Sequence, residues 1–182
     1  IETPSRWALL YSASEIEILE APEIEVHPYL AKLGPDPLDP DLTRDALVER
    51  SMEPRFVRRG LGSLLLDQAF VAGIGNYLRS EICFETRVHP ARRPIELSQS
   101  GCRRLAGAIL TLTRRAYRTR GVTLPTRRAR ALRRAGTSWS HARHWVFARE
   151  GQPCRLCTST IDRFDLGSRR VYVCPSCQSS CD

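Results

Sequence analysis

The sequence predicts a mainly helical fold with small β elements, and three observations carry that expectation. Apolar residues recur at helical spacing between positions 44 and 117, two CxxC pairs near the C-terminal end suit a β-hairpin, and a short alternating stretch near the start reads as strand. With 182 residues there is room for one medium domain or two small ones, and 42% hydrophobic content is enough to bury a core. No run of about 18 apolar residues occurs, so no membrane span is expected. No charged-then-apolar leader opens the chain, which gives the expectation of a cytoplasmic protein.

Taken in order, Ala8-Leu9-Leu10-Tyr11 and the alternating Glu15-Ile16-Glu17-Ile18 read as two short strands, too few for a stable sheet by themselves. They resemble the last strands of a larger β structure. Residues 34–41 hold three prolines, which remove backbone donors and restrict the preceding residues, so a linker or domain boundary is expected there. Thr43 is a plausible N-cap for a helix over 44–52, with Asp45 in its first turn and Pro54 beyond its end. Residues 62–70 suit a short buried helix, broken by Val71-Ala72-Gly73-Ile74-Gly75 before Asn76 opens another that reaches about Glu85. Ser98 caps a longer helix through Leu105, Ile109 and Leu112 towards Tyr117, and Gly121 stops it. Seven arginines lie within 118–134, and 138–147 interleaves Trp139, Trp145 and Phe147 with Arg143 and two histidines; a mobile basic loop is expected here, followed by a strand entering the last module.

Charge is unevenly distributed. Of the 28 basic residues only Lys32 is lysine, and the net charge of +8 hides a split. Residues 1–54 carry 12 acids against four bases, whereas residues 55–182 carry 24 bases against eight acids. Segregation of this kind implies a polyanion partner for the basic part, most simply nucleic acid. Arginine keeps its charge and clamps phosphate with a planar fork, but it does not supply the nucleophilic amine that a lysine can.

Seven cysteines could suggest disulfides, but an odd count and two close pairs argue for reduced thiols and a metal. Cys154-x-x-Cys157 and Cys174-x-x-Cys177 offer four thiolates from two tight knuckles, the set that structural Zn²⁺ accepts. Such a site has no open coordination position, so its expected role is to hold a hairpin. Cys181 is a spare candidate ligand, and Cys83 and Cys102 read as small core residues. Gly73-Ile74-Gly75-Asn76 places a glycine turn before a helix start, where free N–H groups and the positive dipole end form a phosphate seat. Turns of this type also serve packing alone; the charge segregation favours phosphate. His141 and His144, three residues apart, read as surface or phosphate-contacting groups.

Residues 66–81, Leu-Asp-Gln-Ala-Phe-Val-Ala-Gly-Ile-Gly-Asn-Tyr-Leu-Arg-Ser-Glu, resemble the helix-two-turns-helix segment of the formamidopyrimidine-DNA glycosylase and endonuclease VIII family. The four-cysteine hairpin is similar to that family's zinc finger, and Asn76-Tyr77-Leu78-Arg79 with Leu33-Gly34-Pro35-Asp36 leans towards the endonuclease VIII branch. The resemblance implies a base-excision-repair DNA glycosylase and AP lyase acting on oxidised pyrimidines by β,δ-elimination, with the base flipped out of the stack. It implies phosphate contacts for Gly75, Asn76 and the hairpin-tip Arg169, and it matches Glu81 to an acidic residue near the site. Its expected partner is double-stranded DNA with a damaged base or abasic site, bound by a monomer in a bacterial cytoplasm.

Family enzymes open with Pro-Glu, whose amine forms the Schiff base, and no counterpart is seen here. The sequence therefore reads as the DNA-holding C-terminal portion, expected to bind without cleaving. On this reading residues 1–37 are the end of a β-sandwich domain with its linker, 38–145 a helix-two-turns-helix domain and 146–182 a zinc hairpin. The competing reading is a non-catalytic zinc-containing module that binds DNA or RNA.

Overall fold

In the computed structural model, which describes residues 4–6 and 16–179, Thr43 begins the helical body as its sequence position predicts. Its hydroxyl accepts the Ala46 N–H at 3.1 Å and starts α2 (Arg44–Ser51), after a short α1 (Ala21–Val26) that belongs to a separate unit. The chain divides into two compact units, 1–32 and 33–182.

In the first unit, Pro22 stands in the first turn of α1, and the Glu20 N–H donates to the Glu23 carboxylate at 2.7 Å. The expected strand at 15–18 does not form over its described part: Ile16 and Ile18 are 65% and 96% exposed and lie outside any strand. Alternation stabilises a strand only where a neighbour pairs with it and one face is covered. Among the described residues of this unit no strand is present to do so. The other expected strand, 8–11, lies outside the described residues.

The second unit is built on three packed helices. α2 and α4 (Asn76–Thr86) both lie against α5 (Gln99–Arg118), whose N-cap Ser98 accepts the Gly101 N–H at 3.1 Å. Leu105, Ile109 and Leu112 of α5 are buried together with Leu47, Phe70, Leu78 and Ile82, because their spacing places them on one helix face. Cys83 and Cys102 are buried, as expected of small core residues. Arg87, in the left-handed region at φ 62°, ends α4, and Gly121 at φ 96° turns the chain after α5.

Between α2 and α4 the expected helix over 62–70 shrinks to one turn, α3 (Leu61–Leu64). Asp67 is the cause. Its carboxylate accepts the Ala69 N–H at 2.8 Å and pairs with Arg59, trading helix continuation for a local turn. The proline-rich stretch is no free linker either. The Gly34 N–H donates to the Gln68 carbonyl at 2.8 Å, and the Arg114 guanidinium donates to the Pro37 and Asp39 carbonyls at 2.9 and 2.8 Å, strapping the segment onto the helices.

Two further expectations fail between 118 and 147. The basic run contains a helix, α6 (Thr126–Arg134), whose Ala129 and Leu132 pack against a second core. The strand expected to enter the last module does not follow directly, since turns run over 138–147. That second core joins Phe84, Val122, Leu124, Trp145 and Val146 to Ile161 and Tyr172 of the C-terminal hairpin. The hairpin pairs β1 (Asp162–Leu166) with β2 (Arg169–Val173) in antiparallel register, Leu166 opposite Arg169 and Asp162 opposite Val173. Gly167 at φ 64° supplies the positive φ that its two-residue turn needs. Where the hairpin meets α3, a Cβ on Gly62 would stand 2.5 Å from Leu166 Cδ2, so this approach admits only glycine without rearrangement.

Candidate functional site

The two segments singled out for anion contact come together in space. A cleft of about 390 Å³ is lined by Leu66, Gln68, Gly73, Ile74, Gly75 and Arg169, so the glycine turn and the hairpin tip share one wall. Gly73 sits at φ 78°, and a Cβ on Gly73 or Gly75 would meet nothing within 4 Å, which leaves this backbone open to a ligand. Gly75 is the N-cap of α4 and offers no side-chain cap, so the first N–H groups of α4 keep their outward capacity. Asn76 is the first residue of that helix.

Two side chains to which the sequence reading gave no role hold this geometry. Gln68 accepts the Gly73 N–H at 2.8 Å through its amide oxygen and donates to the Ile74 carbonyl at 3.1 Å and the Leu66 carbonyl at 3.0 Å. It fixes the turn from within. Arg79, fully buried on α4, donates to the Gly62 carbonyl at 3.1 Å, the Arg170 carbonyl at 2.9 Å and the Asn76 side-chain oxygen. One guanidinium therefore ties α3, the start of α4 and the hairpin strand that carries Arg169. Burial lowers its pKa, but an arginine retains its charge. A buried cation whose bonded donors all end on neutral oxygens, with its Nε left unpaired, is unusual, and it could have been suspected from a charged residue within an otherwise buried helix turn.

Glu81, matched to an acidic residue near the site, is placed elsewhere. Its carboxylate is fully buried and accepts from the Thr123 hydroxyl at 2.6 Å and from the backbone N–H groups of Trp145, Val146 and Phe147 at 2.8, 2.9 and 3.0 Å. Burial raises its pKa, while these donors pull it back. Glu81 thus acts as a clamp on the segment leading into the second core, and it takes amides at 145–147 that a strand entering the last module would have used. Glu81→Gln replaces one accepting oxygen with an NH₂ group facing N–H donors. Stability is expected to fall by about 2 kcal/mol, read from urea unfolding, because buried donors lose their acceptor.

His144 is a correction of another kind. It is buried rather than on the surface, packed between Tyr77 and Phe147 with ring centroids 5.4 Å from each, and burial pushes its pKa down to about 4. It is a neutral core histidine. His141 is exposed.

The four cysteines converge as their spacing predicts. The sulfurs of Cys154, Cys157, Cys174 and Cys177 all lie within 4.8 Å of one another, with Cys157 at 3.4 Å from both Cys174 and Cys177. Four sulfurs each about 2.3 Å from a tetrahedral zinc stand about 3.8 Å apart, so the cluster fits such an ion. The Leu156 and Cys177 N–H groups point at the Cys154 and Cys174 sulfurs at 3.5 and 3.4 Å, the support that thiolate ligands receive in a knuckle. Cys181 lies outside the described residues.

A single-turn helix, a glycine-bounded turn and a second helix, braced by a four-cysteine hairpin, define a helix-two-turns-helix protein with a metal-binding finger. Residues 33–128 match the H2TH domain of formamidopyrimidine-DNA glycosylase, and the chain belongs to the formamidopyrimidine-DNA glycosylase and endonuclease VIII family. It is 43% identical over 179 residues to endonuclease 8 of Pectobacterium atrosepticum, covering 98% of this chain and 65% of that protein. Against endonuclease 8 of Escherichia coli O17:K52:H18 the identity is 42% over 178 residues, with 98% and 64% covered. The chain thus spans somewhat under two thirds of the length of these relatives. Among solved structures, it is similar to the MutM (Fpg) protein of Thermus thermophilus, with TM-score 0.70, 28% identity and 88% and 59% of the two chains covered. A Lactococcus lactis Fpg complexed with DNA containing an abasic site gives TM-score 0.67 at 25% identity, with 85% and 55% covered. Among the described residues no helix is long and apolar enough to cross a membrane.

Proposed function

We propose that these residues form the DNA-gripping part of an endonuclease 8-type glycosylase and AP lyase that acts on oxidised pyrimidines in duplex DNA in a bacterial cytoplasm. The observation that carries this reading is the cleft shared by Gly75 and Arg169, with Asn76 at its helix start. Uncapped N–H groups, a glycine backbone that allows close approach and an exposed guanidinium from a second element are what a bent phosphate backbone needs on two sides. Zn²⁺ held by Cys154, Cys157, Cys174 and Cys177 would serve structure alone, keeping the hairpin that presents Arg169; four cysteine ligands leave it no position for substrate.

In this reading the assigned residues hold rather than cut. The cleft contains no lysine, and the single lysine of the sequence, Lys32, belongs to the other unit. Extrusion of a damaged base lets the grip work on phosphates flanking an already weakened site, where unstacking costs least.

The test is binding to a duplex that carries a tetrahydrofuran abasic analogue, across a salt series. Arg169→Ala is expected to weaken binding roughly tenfold and to reduce the salt slope by about one, the signature of a lost phosphate contact. Asn76→Ala should weaken binding with little change of slope, since an amide releases no counterion. Unchanged affinity in both variants overturns the assignment, and a borohydride-trapped adduct would show that an amine at the site does cut.

A further inference from the structure

Helix α6 carries five arginines in nine residues and no acid, and the phosphate cleft does not use it. A separate pocket of about 370 Å³ lies along it, with Val122, Ala129 and the half-exposed Trp139 among its walls and Arg130, Arg133 and Arg134 around them. Spacing of three and four residues puts these arginines on one side of the helix. All three are exposed, and among the described residues none pairs with a carboxylate. Arg133 donates to the Thr137 carbonyl at 2.9 Å, which draws the helix end towards the turn that presents Trp139.

We propose that this pocket docks a short acidic peptide segment of a partner protein, with one bulky apolar side chain inserted beside Trp139 and carboxylates paired with Arg130, Arg133 and Arg134. The inference does not depend on the DNA reading.

Two features favour this occupant. The first is charge: a cationic rim around an apolar interior calls for a ligand that is anionic outside and greasy at one point. The second separates a peptide from a nucleotide, which is also anionic with a flat apolar face. An enclosed base brings polar edges that need partners, and burying them unpaired is costly. Beyond the arginines, the pocket's polar side-chain groups are the Trp139 indole N–H, which donates but accepts nothing, and the Thr119 and Thr126 hydroxyls, and Thr119 already donates to the Arg115 carbonyl at 2.6 Å and contacts the Val122 carbonyl at 3.0 Å, so the N–H groups of a base edge find almost no acceptor. A leucine or phenylalanine side chain makes no such demand. The phosphate cleft differs in kind, being walled by glycine backbone and Gln68.

The experiment is fluorescence anisotropy of a labelled peptide, four aspartates followed by Phe-Leu, titrated with the full chain in moderate salt. Two comparison peptides replace Phe-Leu by Ser-Ser, or the aspartates by asparagines. The expected result is binding that drops roughly tenfold with either replacement, and by a similar factor in Trp139→Ala and in the Arg130→Ala, Arg134→Ala double variant. Trp139 and both arginines are exposed, so these variants should fold; an unchanged urea midpoint and far-ultraviolet circular dichroism spectrum confirm it. No detectable binding overturns the proposal. So does equal binding of the Ser-Ser peptide, which would mean charge alone. Binding of single-stranded oligothymidylate that Trp139→Ala abolishes, while the peptide remains unbound, would give the pocket to a nucleic-acid strand instead.

Discussion

Arg79→Met is expected to destabilise the second unit by about 3 kcal/mol and to weaken binding to abasic duplex at least as much as Arg169→Ala does, although Arg79 is buried and touches no ligand. Methionine fills much of the volume but donates nothing. The Gly62 carbonyl would lose its partner in a buried place, and the Arg170 carbonyl and the Asn76 side-chain oxygen would lose theirs in part-buried ones. Relief of the cation's own burial offsets part of this, which is why the expected loss is smaller than three full desolvation penalties. The effect on binding follows from geometry. Asn76 and the strand behind Arg169 are held in register through one guanidinium, so removing it frees the two phosphate contacts to move independently. Arg79→Lys separates positioning from charge: an ammonium keeps the charge but lacks the planar fork that reaches three separate oxygens. It should recover part of the stability and little of the affinity. A variant that binds abasic duplex as well as the parent while unfolding at lower urea would show that Arg79 serves packing alone.

The same residue shows where the sequence was readable and where it was not. Thr43, Ser98 and Gly121 announce helix ends because capping is local chemistry, settled within four residues of chain. The cysteine spacing is legible for a similar reason, since two knuckles of fixed geometry leave few ways to surround an ion. Arg79 and Glu81 bond across 91 and 64 positions, and no local pattern encodes those partners. Glu81 accounts for the absent strand: amides at 145–147 went to its carboxylate instead of a ladder. α6 forms where the run of arginines predicts a mobile basic loop. Arginine is also a good helix former, and Ala129 with Leu132 gives that helix an inner face. Ile16 to Ile18 failed in the opposite sense, having strand periodicity without a neighbour.

Removing the metal should have the largest effect of all, and it should be local. Two strands of five residues make no stable hairpin in water by themselves. Here the hairpin is secured by the four-sulfur cluster at its base and by Ile161, Val171 and Tyr172, which are buried. Structural zinc contributes on the order of 10 kcal/mol to the folding of small finger domains, more than a hairpin of this size retains from packing. Chelation, or Cys174→Ser, is therefore expected to release the hairpin and to loosen the second core, where Cys154 and Cys174 lie beside Trp145. The first core contains no residue beyond Ala116, so α2, α4 and α5 have the means to persist. Far-ultraviolet circular dichroism should thus keep most of its helical signal while Trp145 emission shifts to the red. Affinity for abasic duplex should fall by roughly a hundredfold or more, because Arg169 is lost together with the strand whose Arg170 carbonyl anchors Arg79. The metal content should be one zinc per chain by elemental analysis, and re-addition of Zn²⁺ under reducing conditions should restore binding and emission together. Loss of all helical signal on chelation would show the two cores to be one cooperative unit, and undiminished binding would remove the hairpin from the DNA site.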